Sequence, residues 1–156
     1  MKISIIAAMT KERIIGQGNK LPWHIPAELQ NFKALTMGKP MIMGRATFDS
    51  IGRRLLPGRK TIVLTQDRNL LENSFTIANS IEDALLAAGN VDEVMIVGGA
   101  SIYKHFLPIA NKMYLSIINV NYPGDVCFPE YDATQWQVIE KEIKPDFTVN
   151  ILEKIA

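Results

Sequence analysis

The chain has 156 residues, the length of one ordinary domain, and 47% of them are hydrophobic, which is enough for a sizeable core. A formal net charge of +1 gives no indication of nucleic-acid or anionic-membrane binding, and no apolar run reaches the length of a membrane span. The single cysteine, Cys127, excludes an internal disulfide, and with two distant histidines it offers no metal-ligand spacing. Lys11, Glu12 and Arg13 follow the short apolar start of the chain where a signal peptide would have a cleavage-like site, which favours a buried first strand and a cytoplasmic protein.

Short runs rich in Ile, Val and Met predict strands that are buried on both faces of a sheet. Five such runs are Lys2–Met9, Pro40–Met43, Thr61–Thr65, Val94–Val97 and Met113–Ile118, and a weaker one is Phe75–Ala78.

Helical patterns lie between several of these strands. Pro26–Met37 has its proline in the permitted first turn and stops at Gly38. Ser80–Ala88 begins with Ser80 and has an acid three residues later, which is a loose form of the capping box. Strands that alternate with helices indicate a largely parallel sheet.

The end of the chain has a different pattern. "WQVIEKEI" and "FTVNILEK" alternate apolar and polar residues on either side of Lys144-Pro145-Asp146, which predicts an antiparallel hairpin at the sheet edge. We therefore expect one α/β domain over residues 1–156, with a central, mostly parallel twisted sheet of about eight strands, a C-terminal antiparallel hairpin, and about four helices packed on both faces.

Three of the predicted strands end in residues suited to phosphate groups, and ligands of such sheets gather at the carboxyl ends of strands. Gly98-Gly99 leads into "ASIY", and Gly44 leads into "RATF" with its Arg45. Thr65-Gln66-Asp67-Arg68 follows a third strand, where Asp67 suits a ribose hydroxyl better than a phosphate. Each of the first two segments alone is equally consistent with an ordinary turn, and the third alone is better explained as a solvated surface loop. Together they indicate an extended, multiply phosphorylated ligand such as a dinucleotide.

A long segment, Thr10–Ile25, contains glycines and looks irregular, so we interpret it as a lid over the site. Within it, "GQGNKL" is an incomplete match to the dinucleotide fingerprint and does not directly follow a strand.

Glu28 is an acid with two possible explanations in this pattern. As the third residue of the predicted helix it is favoured by the helix dipole alone. However, it shares an apolar stripe with Phe32 and Leu35, and a carboxylate buried there needs a partner. No basic residue lies on that stripe, so a ligand with two adjacent N–H groups is an alternative partner.

The chain resembles dihydrofolate reductase of the bacterial chromosomal type over nearly its whole length. The matching motifs are "IGxxNxLPWxxPxE", "FK", "MGRxTFxSIG", "LPGR", "GG" followed by "IY", and "GDxxFPxY". The resemblance implies NADPH-dependent reduction of 7,8-dihydrofolate to tetrahydrofolate, by hydride transfer to pterin C6 and protonation at N5. It also implies a cytoplasmic monomer that binds antifolate inhibitors.

The resemblance assigns roles to residues. Glu28 would bind the pterin 2-amino group and N3, Trp23 would order the lid and help hold a water, and Leu21 would lie near the nicotinamide. The remaining expected folate contacts are Ile6, Ala7, Leu29, Phe32, Ile51, Arg53, Arg59, Val97, Tyr103 and Ser116, with Arg59 on the glutamate tail and Ser116 supporting Glu28.

Expected NADPH contacts come from the lid and the three strand ends. They are Ala8, Ile15, Gly16, Gln17, Gly18, Asn19, Lys20, Gly44, Arg45, Ala46, Thr47, Leu64, Thr65, Gln66, Gly98, Gly99, Ala100, Ser101, Ile102 and Tyr103.

Some positions depart from the family pattern. Many bacterial members have aspartate where Glu28 stands, and some have lysine where Asn79 stands, which leaves Arg45, with Arg68, to select NADPH. "RRLLPGR" has one residue more than the usual segment and lacks its first proline, which leaves open the contacts of Arg53 and of Leu55 or Leu56.

Two other functions are weighed against this one. A reductase of a pyrimidine intermediate, as in the riboflavin pathway, would lack the "PWxxPxE" and "LPGR" pair. A non-catalytic dinucleotide-binding module would not need an acid on an apolar stripe.

Overall fold

A computed structural model of the chain describes residues 1–16, 23–53, 55–67 and 75–155. Its strands are β1 Lys2–Thr10, β2 Ile14–Gly16, β3 Met41–Gly44, β4 Thr61–Leu64, β5 Thr76–Ala78, β6 Glu93–Gly98, β7 Lys112–Ile118, β8 Val126–Cys127, β9 Trp136–Ile143 and β10 Phe147–Lys154. The helices are α1 Pro26–Thr36, α2 Arg45–Ser50, α3 Ile81–Ala88 and α4 Ala100–Phe106, with single 3-10 turns at Leu107–Ile109 and Ala133–Gln135.

Eight of the strands form one sheet in the order β5-β4-β3-β6-β1-β7-β10-β9. The six strands from β5 to β7 in this order pair in parallel, β10 runs antiparallel to β7, and β9 runs antiparallel to β10. The predicted fold, including the C-terminal hairpin, is therefore confirmed, and the described residues form a single α/β domain.

The central strands are buried on both faces, as their continuous apolar runs require. Neighbouring residues Ile5 and Ile6 of β1 are both buried, but they belong to different hydrophobic clusters. The Ile5 cluster includes Ala84 of α3 and Phe106 of α4, whereas the Ile6 cluster includes Phe48 of α2 and is flanked by α1. Helices thus cover both faces of the sheet.

The helix starts follow the sequence signals. Ser80 caps α3 by accepting a hydrogen bond from the Asp83 backbone N–H at 3.0 Å. α1 begins at Pro26, which makes Glu28 its third residue, and the preceding Ile25 makes no side-chain cap. This start aims Glu28 at the sheet.

The expectation that Thr10–Ile25 is irregular is wrong for part of that segment. Ile14–Gly16 forms β2, which pairs antiparallel with β8. The reason is long-range, because β2 finds its partner more than a hundred residues later in the chain. Residues 17–22 lie outside the described part.

The turn after β6 requires glycine. Gly98 has φ +116°, a conformation that residues with a Cβ rarely adopt, and its peptide bond to Gly99 is cis. In the described part of the chain, no helix has the length and apolar character needed to cross a membrane.

Candidate active site

A pocket of about 380 Å³ opens at the carboxyl ends of β1, β3 and β6, between α1, α2 and α4. Its wall is mostly apolar and brings together segments that are far apart in sequence, as ligand sites in such sheets do. The residues anticipated from the sequence that line it are Ile6, Ala7, Ala8, Ile15, Gly16, Glu28, Leu29, Phe32, Ala46, Thr47, Ile51, Val97, Gly99, Ala100 and Tyr103.

Sequence reasoning missed three residues of the pocket wall and left a fourth, Leu56, open. Met43 is the last residue of β3 before Gly44, and Ser50 lies one helical turn after Ala46, so strand and helix periodicity could have indicated both. Val126 reaches the wall only because β8 pairs with β2, and the sequence carries no local sign of that pairing.

Glu28 is the acidic residue of the pocket wall. It is 7% exposed, and burial raises the pKa of its carboxyl above the ordinary value. Within the described part of the chain, no side chain hydrogen-bonds to this carboxylate or forms an ion pair with it. An unpartnered buried acid is costly, so a ligand that donates two hydrogen bonds would relieve the cost.

Tyr103 of α4 lines the same pocket as Glu28. Its single hydroxyl hydrogen is shared between two backbone carbonyl acceptors, Ile6 O at 2.8 Å and Val97 O at 3.0 Å from the hydroxyl oxygen. Burial and then the negative charge of Glu28 raise the pKa of this phenol, so Tyr103 is neutral across the working pH range. The Tyr103 hydroxyl therefore links β1 and β6 at the pocket without adding a charge to it.

Trp23 lies behind the pocket wall. It is 7% exposed, packs on the ring of Tyr122 with centroids 5.9 Å apart, and has an indole Nε1 that finds no hydrogen-bond partner among the described residues. A buried donor of this kind is normally paired with a water or a ligand. Leu21 and the lid residues Gln17, Gly18, Asn19 and Lys20 lie outside the described residues.

The three phosphate-suited segments follow β4, β3 and β6, which are neighbours in the sheet. They therefore form one continuous edge that leads to the pocket.

Glycines at this edge have a second role that the sequence did not indicate. A Cβ on Gly44 would lie 2.9 Å from Ile102 Cγ1, and one on Gly98 would lie 3.0 Å from the Tyr103 hydroxyl. These two glycines thus make room for α4, whereas a Cβ on Gly99 would meet only Thr47 Oγ1 at 3.4 Å.

Two arginines near the pocket differ in their partners. Arg53 is exposed and donates from Nε to Asp49 at 2.7 Å. Arg59 donates to the Pro57 carbonyl and to the Thr36 hydroxyl, and burial lowers the pKa of its guanidinium. Among the arginines of the described residues, Arg59 alone forms no ion pair with an acid.

Ser116 lies on β7 opposite Ala8 of β1, so it is one strand further from the pocket. It is buried, and within the described part of the chain no hydrogen bond joins its hydroxyl to Glu28. Its support of Glu28 stays a prediction.

The fold and the pocket together define an α/β protein with an apolar ligand site, a buried acid and a phosphate-suited edge. The model of the family described as dihydrofolate reductase matches residues 2–152. The type 3 dihydrofolate reductase of Salmonella typhimurium is 42% identical over 145 residues, which cover 93% of this chain and 89% of the relative. The Bacillus subtilis dihydrofolate reductase is 41% identical over 140 residues, 90% of this chain and 83% of the relative.

A solved structure supports the same relationship. The dihydrofolate reductase of Enterococcus faecalis, complexed with NADP(H) and RAB-propyl, superposes with a TM-score of 0.92 at 29% identity and covers 99% of this chain and 97% of that chain. The chain belongs to the dihydrofolate reductase family, a family of NADP-dependent oxidoreductases.

Proposed function

We propose that the chain catalyses reduction of 7,8-dihydrofolate to 5,6,7,8-tetrahydrofolate, with hydride transfer to pterin C6 and protonation at N5, and so supplies folate for one-carbon metabolism. The observation that carries the proposal is the buried Glu28, which no described side chain pairs, in the pocket of a chain that belongs to this family. The pterin 2-amino group and N3 present two adjacent N–H donors, which match the two oxygens of one carboxylate.

Apolar side chains would hold the flat pterin ring beside Glu28. Phe32, Ile6 and Val97 belong to the pocket wall and to one cluster around β1 and β6. The other proposed folate contacts in the wall are Ala7, Leu29, Ile51 and Tyr103. Apolar walls exclude water, which strengthens the interaction of Glu28 with the ring.

NADPH, when bound, supplies the hydride. The residues that fit it are the pocket wall at Ala46, Thr47, Gly99 and Ala100, with the adjoining edge at Arg45, Thr65 and Gln66. This fit rests on the missing side chain of Gly99, where a Cβ would lie 3.4 Å from Thr47 Oγ1, and on the continuous order of the three strand ends. The other proposed cofactor contacts are Ala8, Ile15–Lys20, Gly44, Leu64, Gly98, Ser101, Ile102 and Tyr103.

The proton for N5 would arrive from water, because the described part of the pocket wall has no ionisable side chain other than Glu28 and the neutral phenol of Tyr103. The unpartnered Nε1 of Trp23 is suited to hold such a water. Ionised Glu28 would favour the protonated ring electrostatically. We also propose that Leu21 lies near the nicotinamide.

Arg59 would bind the carboxylate of the folate glutamate. Its support is that no acid of the described residues pairs with it and that it is half-buried, since a partly buried guanidinium favours a carboxylate. Arg53 already pairs with Asp49, so its contact with the same tail would be weaker. Ser116 would act on Glu28 only through an intervening water.

The proposal extends to the whole molecule. Residues 1–156 would form one dihydrofolate reductase-like domain that works as a monomer in the cytoplasm and that binds antifolate inhibitors at the folate pocket.

The decisive experiment follows NADPH absorbance with purified protein, with and without 7,8-dihydrofolate. We expect oxidation of NADPH that depends on dihydrofolate and yields tetrahydrofolate. Binding of NADPH with no oxidation would instead support a non-catalytic dinucleotide-binding module, and turnover with a pyrimidine substrate alone would move the chain to a different substrate class.

A further inference from the structure

Arg45, the basic side chain at the phosphate-suited edge, lies between two carboxylates. Its Nη1 forms an ion pair with Asp67 Oδ2, and its Nε lies 3.6 Å from Asp49 Oδ2. Asp49 in turn accepts from Arg53. The charge of Arg45 is therefore largely balanced by protein groups before any ligand binds.

The fold holds Asp67 in this position. The backbone N–H of Asp67 donates to Thr65 Oγ1 at 3.1 Å. Asn79 holds the other side of the turn with two hydrogen bonds. Its side-chain Nδ2 donates to the Thr65 backbone carbonyl at 2.7 Å, and its backbone carbonyl accepts from Gln66 Nε2 at 2.6 Å. The Asp67 side chain is only 24% exposed, so its carboxylate has a fixed place beside Arg45.

Asp67 has opposite effects on the two forms of the cofactor. A ribose 2′-phosphate carries a charge of about −1.5 to −2 near pH 7, as other phosphate monoesters do, and an adjacent carboxylate repels it. To pair with Arg45, the phosphate must also displace Asp67. The uncharged 2′-hydroxyl of NADH meets neither cost and can donate a hydrogen bond to a carboxylate.

We propose that Asp67 is a specificity-determining residue that reduces the preference of this enzyme for NADPH over NADH by competing with the ribose 2′-phosphate for Arg45. The inference rests on the proposed function, because it assumes that the adenosine end of the cofactor lies at the β4 edge. It changes the expectation that arginines alone decide cofactor preference.

The test measures binding as well as turnover. Dissociation constants are determined by calorimetry for NADPH, NADH, adenosine 2′,5′-bisphosphate and 5′-AMP, with the wild-type protein and Asp67→Asn. We expect Asp67→Asn to bind NADPH and the bisphosphate about three- to tenfold more tightly, the scale of a partly exposed ion pair, and to bind NADH and AMP equally or more weakly. The ratio of NADPH to NADH affinity then rises.

Two further variants separate this role from a general effect. Glu153→Gln removes one negative charge on β10, on the other side of β1 in the sheet, and we expect it to leave the ratio unchanged. Asp67→Ser removes the same carboxylate with a different side chain and should repeat the effect of Asp67→Asn. An effect seen in only one of the two variants would indicate a folding defect of that variant.

The outcomes distinguish this inference from the proposed function. Wild-type protein that neither binds NADPH nor oxidises it with dihydrofolate overturns the proposed function. Wild-type protein that does both, with affinity ratios that stay within about twofold in Asp67→Asn and Asp67→Ser, overturns only the role of Asp67.

Discussion

Arg59 donates a hydrogen bond from Nη1 to the hydroxyl oxygen of Thr36 across 3.2 Å. That hydroxyl donates in turn to the Phe32 carbonyl at 2.8 Å, and Thr36 is completely buried in the last turn of α1. Arg59 is thus held against the helix whose first turn carries Glu28. The two groups proposed to bind opposite ends of the folate are therefore connected through one rigid element.

Replacing Thr36 with valine should weaken binding of the glutamate tail. The substitution keeps the shape of the side chain and removes the acceptor that orients Arg59, so the guanidinium loses a hydrogen bond. We expect KM for dihydrofolate to rise about three- to tenfold with kcat nearly unchanged, since the tail is remote from the reacting atoms. Steady-state kinetics with dihydrofolate measure this change.

Dihydropteroate, which lacks the glutamate, provides the matched control for Thr36→Val. Its KM should not change, whereas Arg59→Met should raise KM for dihydrofolate further and leave dihydropteroate unaffected. An equal rise in KM for both substrates would show that Thr36 acts on the pocket as a whole rather than on Arg59.

Glu28→Gln should separate activity from stability. The neutral amide keeps the size of the side chain but loses the charge that holds the pterin, so we expect turnover at neutral pH to fall about 100-fold or more while the dissociation constant of NADPH stays the same. Turnover within a few-fold of the wild-type value would contradict the role of Glu28.

The stability of Glu28→Gln should depend on pH in a defined direction. Because burial raises the pKa of Glu28 in the folded state, the folded protein binds a proton more strongly than the unfolded chain, and the wild type loses stability as pH rises through the folded pKa. Without ligands, we expect Glu28→Gln to unfold at a higher temperature than the wild type near pH 8. The difference should shrink as pH falls toward and below the ordinary value of 4.5. Thermal unfolding from pH 4 to pH 8 measures it, and a difference independent of pH would contradict this account.

Glu93 should make the free energy of unfolding decrease as pH falls, which is the opposite direction from Glu28. Burial alone would raise its pKa, but hydrogen bonds from Lys39 at 2.6 Å, Ser4 at 2.5 Å and Tyr114 at 3.0 Å outweigh burial and lower it. The stabilisation from ionised Glu93 is therefore present above its ordinary pKa and is lost as pH falls through its pKa in the folded state.

The corresponding variant is Glu93→Gln. We expect it to lower the free energy of unfolding at pH 7 by about 2–4 kcal/mol, because three buried or half-buried donors lose a charged acceptor. Denaturant titrations at pH 7 and at steps below pH 4.5 measure this, and the difference should shrink as pH falls below that ordinary value toward the lowered pKa of folded Glu93. The cluster lies at the amino ends of β1 and β6, so turnover per folded molecule should be unchanged.

Local patterns in the sequence predicted the parts of the fold and site that depend on local chemistry. Pro26 set the start of α1, which made Glu28 the third residue and turned it toward the sheet, and Ser80 capped α3 as expected. Long-range geometry was not readable in the same way. The pairing of β2 with β8, the position of Val126 in the pocket wall and the ion pair between Arg45 and Asp67 all join segments whose meeting depends on the completed sheet.

Gly124→Ala should loosen the wall of the pocket formed by β2 and β8. A Cβ at Gly124 would lie 2.4 Å from Ile14 Cγ2 and 2.5 Å from the Gly16 carbonyl oxygen, and the backbone at Gly16 cannot move without disturbing its pairing with Val126. Since Gly16 and Val126 both line the pocket, we expect faster hydrogen exchange of the β2 and β8 amides and a several-fold lower turnover.

Gly38→Ala is the control, because that glycine has φ +77° and open space around it. Alanine there should cost about 1 kcal/mol of stability and leave turnover unchanged. If both variants lowered turnover in proportion to their loss of stability, the close approach of Gly124 to Gly16 would have no specific role in the site.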